Sequence, residues 1–408
     1  MNAPDKNSPE APTSHLHPAD LHGAGRLLLL AIEVLVDQVE VLHLKFRGEP
    51  LVPPGSGGVA GTVFRQAKWT IAVTGSWIDS RLAPASVARG STAQREAVLA
   101  AVNGLFGDLL ARAGNPLAIP MRLRTGGKAI ELSPGALAAL PGAGPKLLIL
   151  LHGLCRCDLQ WRRAGQDHGA ALARDLGYTP LYLHYNSGRH ISRNGRELAD
   201  LLEQLAEAWP GPIKEIAVLA HSMGGLVARS ACHYAEQAGH RWRGQLRHMV
   251  FLGTPHHGAP LERHGNWLTA VLGRSTLTAP FARLGELRSA GITDLRYANL
   301  VDEDWRGRDR FDRDGGLPRP LPLPQGVDCY TIAGTTGRRP GDLRDRLLGD
   351  GLVPVDTALG RHEDPARTLA FPASHQWIGF GLHHLDLLSR PEVYEQLRRW
   401  LGRRAPPR

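Results

Sequence analysis

The stretch Glu215-Ile-Ala-Val-Leu-Ala-His221-Ser222-Met223-Gly224-Gly225-Leu-Val-Ala-Arg229 decides how the rest of this chain is read. An apolar run of strand composition ends at Ser222, and a helix-forming run starts one residue later. The residues two places either side of the serine, Ala220 and Gly224, are small. A serine on a sharp strand-to-helix turn needs this, because bulky neighbours at those positions collide and the turn strains the serine backbone. The pattern is that of a nucleophile elbow, with Ala220 standing where G-x-S-x-G has its first glycine. The alternative is a buried serine before an ordinary helix.

Outward from this segment the chain alternates apolar runs with helical ones. Buried-strand runs occupy Lys146–Leu151, Thr179–Tyr185, Glu215–Ala220, His248–Gly253 and Val327–Gly334. Helical stretches at about 165–175, 195–209 and 224–238 separate the early ones. This alternation predicts an α/β fold, a mostly parallel sheet covered on both faces by helices. Before it, Met121–Arg124 and Lys128–Leu132 flank Thr125-Gly126-Gly127, a hairpin signal.

Residues 1–22 are polar and Pro-rich and read as a disordered arm. A helical extension, 23–115, follows, with helices over about Arg26–Phe46, Val59–Leu82 and Thr92–Arg112. Ser91 with Gln94 gives the third helix a capping-box start, and Gly114 gives it a stop. Glu33, Asp37 and Glu40 interrupt the apolar run near Leu27–Leu44, which therefore reads as an amphipathic helix and not a membrane span. The α/β domain covers 116–404, and 405–408 form a tail. Within the domain, about 261–325 is too long for a simple connection. Trp267, Leu268, Val271 and Leu272, and again Phe281, Leu284 and Leu287, have helical spacing, followed by the charged stretch Asp302–Asp314. This insertion is expected to be a helical lid beside a catalytic cleft, or else additional core.

Acyl transfer through a serine needs two backbone N–H donors for the developing oxyanion, a base and an orienting acid. Met223, following the serine, offers one amide. The loop after the strand ending in His152-Gly153 offers the other, most suitably Leu154, with His152 bracing the loop. In the order serine, acid, histidine, Asp350 in a Gly-flanked loop is the preferred acid, with Asp356 as its alternative. His384 is the preferred base, with His383 as its alternative.

Five motifs together carry a family resemblance: Ala220–Leu226 (AHSMGGL), Leu150–Leu154 (LLHGL), Leu252–Gly258 (LGTPHHG), Asp350–Pro354 (DGLVP) and His383–Leu388 (HHLDLL). They resemble the lipase/esterase branch of the α/β-hydrolases, in particular bacterial triacylglycerol lipases and GPI inositol-deacylase-like proteins, over roughly 120–404. The resemblance implies Ser222 as nucleophile, Asp350 as acid, His384 as base, and Met223 and Leu154 as oxyanion donors. It also implies a carboxylic ester as substrate. Acyltransferases and thioesterases share the triad, and a membrane-surface or partner-binding role on the same fold is a further alternative.

No cofactor is expected. His256-His257 and Cys155-x-Cys157 lack a metal-ligand spacing. Four cysteines, two of them nearly adjacent, exclude a disulfide scaffold and favour a reducing, cytoplasmic setting. The net charge of +9 comes mostly from arginine, and five of those arginines lie in the last twelve residues. Without a basic run interleaved with aromatics, this balance argues against nucleic acid as a partner. Any peripheral contact of the extension with the inner membrane face would be hydrophobic, because residues 1–145 are nearly charge-balanced.

Overall fold

The computed structural model describes residues 17, 19–29, 32, 58–82, 91–259, 289–308, 318–339 and 349–402. Most of the expected arm, the helix beyond residue 32, the seven apolar residues of the insertion from Trp267 to Leu287, and the tail lie outside the described residues. The chain divides into two compact units, 1–95 with 110–118, and 96–109 with 119–408.

The smaller unit is helical. Helix α1 spans residues 19–29, so helix already begins within the stretch read as an arm. Helix α2 is Gly58–Leu82, and α3 is Ala93–Arg112. The first turn of α3 is capped by Thr92, whose Oγ1 accepts from the Arg95 amide at 3.3 Å, and not by Ser91. Ser91 instead accepts from the Arg95 side chain. With Arg95 three residues after the cap, no capping box forms. Arg95 also forks onto both Asp20 carboxylate oxygens at 2.6 and 2.8 Å, an Arg–carboxylate geometry that fixes α1 to the start of α3.

The larger unit is built on eight strands: β1 Arg122–Thr125, β2 Lys128–Ala129, β3 Lys146–Leu151, β4 Thr179–His184, β5 Glu215–His221, β6 Leu246–Leu252, β7 Asp328–Thr335 and β8 Gln376–Phe380. Their order across the sheet is β2-β1-β4-β3-β5-β6-β7-β8. Strand β1 is antiparallel to β2 and β4, and every other neighbour is parallel. The β1–β2 hairpin turns through Gly126 and Gly127, both at positive φ, as a two-residue turn matched to strand twist requires. Between the strands lie α4 Pro134–Ala138, α5 His168–Leu176, α6 Ile191–Ala208, α7 Met223–Ala238, α8 Trp242–Gln245, α9 Ala290–Tyr297 and α10 Val355–Ala358, and α11 Pro391–Leu401 ends the fold.

Both sheet faces are covered, which is why the central strands are apolar throughout. Leu148, Leu150, Ala217, Leu219, Val250 and Leu252 share one core with Leu172 of α5 and Val393, Leu397 and Trp400 of α11. The alternate residues, among them Leu147, Ile149, Ile216, Val218, Met249 and Phe251, are buried on the opposite face. There α7 contacts β3 and β5 and packs against α6, whose Ile191, Leu198, Leu202 and Leu205 form one apolar stripe. Residues 96–109 of α3 belong to this unit, with Ala100, Ala101, Leu105 and Phe106 buried. The core therefore begins about twenty residues before Pro116, the expected start of the α/β domain. A parallel sheet in this order, with an antiparallel strand toward one edge and a serine at the turn leaving β5, is the α/β-hydrolase fold.

Candidate active site

Strand β5 delivers Ser222 to the centre of the sheet's C-terminal edge, between β3 and β6. Ser222 has φ 55° and ψ −128°, a conformation L-residues rarely adopt, and it is the residue immediately before α7. Two backbone bonds hold it there: its amide donates to the Leu252 carbonyl at 2.9 Å, and its carbonyl accepts from the Gly225 amide at 3.0 Å. Gly224 is required by close approach, since a Cβ there would lie 2.6 Å from the His152 carbonyl oxygen and 2.8 Å from that of Leu151. The small residue two places after the serine thus makes room for the end of β3.

Asp350 and His384 meet on the adjoining loops. His384 Nδ1 lies 2.6 Å from Asp350 Oδ2, and the His384 amide donates to the Asp350 carbonyl at 3.0 Å. The other carboxylate oxygen, Oδ1, accepts from the amides of Leu352 and Val353 at 3.0 and 2.9 Å. The Asp350-Gly-Leu-Val run is therefore a turn that supplies a fully buried carboxylate with backbone donors. With Nδ1 directed at Asp350, His384 has Nε2 as its other ring nitrogen. Gly253, at φ 56°, leaves the space this pair occupies, because a Cβ there would stand 3.0 Å from Asp350 Oδ2 and 3.1 Å from His384 Cε1. The alternatives are placed differently: Asp356 is more than half exposed beside Arg361, and His383 is exposed.

Ser222 and His384 line one small cavity, about 10 Å³, together with Gly153, Leu154, Arg156, His221, Leu352 and Leu385. Leu154, Leu352 and Leu385 make part of its lining apolar. Leu154 follows Gly153 at the end of β3, and its amide has no acceptor among the described residues. Met223 opens α7, where an amide has no intrahelical acceptor.

Two histidines support this frame. His152 stacks on Tyr185, with ring centres 4.3 Å apart, and its carbonyl accepts from the Tyr185 hydroxyl. Burial lowers its pKa to about 3, so the ring is a neutral brace for the loop. His221 donates from Nε2 to the His384 carbonyl at 3.2 Å. Burial, reinforced by the neighbouring His384, depresses its pKa well below that of an ordinary imidazole, so it adds no charge beside His384.

The cysteines are inert by environment. Burial raises the thiol pKa of Cys155, Cys157 and Cys232 to about 12, which leaves them protonated near neutrality.

Among the described residues, one group has metal-ligand proximity, and sequence spacing gave no sign of it. Glu96, Asp158 and His184, all buried, bring one donor atom each within 4.8 Å of one another. Arg124 Nη1 lies 2.8 Å from Glu96 Oε2 and 3.2 Å from Asp158 Oδ1, and His184 Nδ1 lies 2.8 Å from that Asp158 oxygen. The guanidinium thus takes a cation's place. Burial alone would raise the Asp158 pKa, but the His184 hydrogen bond and the Arg124 charge outweigh it and hold it below the usual range. The network ties α3, β1 and β4 to the loop after Leu154. His256-His257 and the Cys155–Cys157 pair take no part in it.

Comparison with known proteins adds the following. Residues 125–294, less than half of the chain, match a family described as Domain of unknown function (DUF7379). No curated protein matches the sequence. Among solved structures, a Bacillus licheniformis lipase in its propeptide form is 19% identical, with a TM-score of 0.39, covering 64% of this chain and 51% of that one. Aspergillus fumigatus lipase B is 14% identical, with a TM-score of 0.40, covering 68% and 60%. A Pyrococcus furiosus esterase is 18% identical, with a TM-score of 0.36, covering 64% and 83%. The chain thus spans between half and two thirds of the length of the first two. The fold assignment rests on the strand order and on the Ser222 turn.

Proposed function

We propose that this chain is a serine hydrolase acting on carboxylic esters through an acyl-enzyme on Ser222. The observation that carries the reading is the strained Ser222 turn opening on the same cavity as His384, whose other ring nitrogen is bound to the buried Asp350. Ser222 Oγ attacks the acyl carbonyl as His384 Nε2 takes its proton. The tetrahedral oxygen is received by the amides of Met223 and Leu154. The imidazolium, stabilised by Asp350, returns the proton to the leaving alkoxide, and water then attacks the acyl-enzyme by the same steps. Leu154, Leu352 and Leu385 beside the serine favour an apolar acyl group. The same groups serve thioester cleavage or acyl transfer. Hydrolysis of nitrophenyl esters from C2 to C16, beside the matching acyl thioesters and with an added alcohol acceptor, separates the three. Turnover of none of them would refute the reading.

A second role, contact of the helical extension with a membrane surface or partner, is favoured by exposed Leu28 and Trp69, 63% and 64% accessible. No helix among the described residues is long and apolar enough to cross a membrane. Flotation of the intact chain with liposomes should fall on Trp69→Ser; equal flotation, or none in either form, removes the membrane contact.

A further inference from the structure

A second cavity, about 230 Å³, lies in the larger unit and shares no lining residue with the one at Ser222. Helix α7 contributes Arg229 to it, two turns beyond Ser222. The turn after β6 contributes His256 and His257, the segment 318–323 contributes Arg319, and the region after α10 contributes His362 and Arg367. No carboxylate is among the described lining residues. This is an uncommon place for an arginine. Arg229 is 4% exposed, its Nη2 donates to the Leu321 carbonyl and its Nη1 lies 3.4 Å from His256 Nδ1, while its Nε–H has no acceptor among the described residues. Burial lowers its pKa to about 10, and nearby thiols are the groups that oppose this. It remains a cation near neutrality with no buried counter-charge among the described residues, a costly arrangement unless an anion joins it.

The histidines extend the set of donors. With Nδ1 turned to the guanidinium, His256 carries its proton on Nε2, and that buried atom is also without a partner among the described residues. His362 accepts at Nδ1 from the Asp364 amide, which leaves Nε2 as its N–H. His257 is anchored by Nε2–H to the Gly360 carbonyl. At the rim, Arg367 donates to the Pro318 carbonyl at 3.0 Å and has Asp364 Oδ2 at 3.8 Å from Nε. Arg319 is exposed.

We propose that this cavity binds a small oxyanion, a phosphate or carboxylate group, held at its buried end by Arg229 and His256 and at its rim by Arg319, Arg367 and His362. The proposal stands on this cluster alone and does not depend on the reaction at Ser222. The cavity is smaller than a typical drug-sized site, so the organic part of such a ligand is small.

Calorimetric titration of the intact chain with inorganic phosphate, and separately with acetate, tests it. Ionic strength is held constant with chloride, because phosphate also stabilises proteins by exclusion from their surfaces. Saturable one-to-one binding of either anion is expected, and which of them binds identifies the group. Arg229→Met should abolish it. Should that variant not fold, the double rim variant Arg319→Gln/Arg367→Gln should raise the dissociation constant at least tenfold. Absence of saturable binding by both anions, or an unchanged affinity in the folded variants, overturns the proposal.

Discussion

Two buried charged groups in this molecule sit in opposite circumstances. Asp350 is out of solvent with three donors on its carboxylate: two turn amides and the His384 ring. Arg229 is equally out of solvent, yet its described partners are one carbonyl, one imidazole and no carboxylate. A buried charge persists when hydrogen bonds or a counter-charge replace its water. The first site contains that replacement within its own fold, and the second meets its need from outside. This contrast underlies the two proposals, chemistry at Ser222 beside Asp350 and a ligand held beside Arg229.

The largest expected effect comes from breaking the first site. Ser222→Ala should lower kcat for ester hydrolysis by about 10⁴-fold or more, and Asp350→Asn by about 10⁴-fold, since it leaves His384 in the wrong tautomer. Phosphate affinity, measured by calorimetry, should stay within about twofold in Asp350→Asn. A joint loss would mean that the two regions are not independent. Gly253→Ala is the sharper probe, because its Cβ would press on Asp350 and His384 without removing either. A misplacement of that kind should cost roughly 10²-fold in kcat in steady-state assays.

Next in size is an acid-induced loss of stability. Burial depresses the pKa values of His152, His168, His221, His248, His256 and His257. Below about pH 6.5 the unfolded chain takes up protons that the native one refuses, so the stability these neutral rings contribute is lost as pH falls from 6.5 toward their folded values. Tm from calorimetric scans should fall steadily from pH 7 to pH 5. A bound phosphate should reduce the part of that fall owed to His256. The smallest effect is on the thiols: native protein should react with iodoacetamide far more slowly than denatured protein at pH 8, because Cys155, Cys157 and Cys232 remain protonated.

What could be read from sequence follows from how locally it is encoded. Strands β3, β5, β6 and β7 announce themselves as apolar runs because both of their faces are buried, whereas β4 alternates buried and half-buried residues. Strand β8 does not: Gln376–Phe380 is a partly exposed edge strand, and its alternation is weak. The Ser222 turn is legible because its constraints fall within five consecutive residues. The contact of His384 with Asp350 is legible only through their order along the chain. Thr92 displaced Ser91 as the cap because adjacent hydroxyls give the same signal and one residue of register decides between them. The Glu96–Arg124–Asp158–His184 network and the Arg229 cavity join residues from separate elements. Nothing in spacing marks them, and only the folded arrangement of their separate elements brings their members together.

The acyl-enzyme on Ser222 is probed by labelling the intact chain and Ser222→Ala with a fluorophosphonate, followed by peptide mass spectrometry. A single adduct on Ser222 is expected in the wild type and none in the variant. Equal labelling of both proteins, or an adduct on another serine, would contradict it.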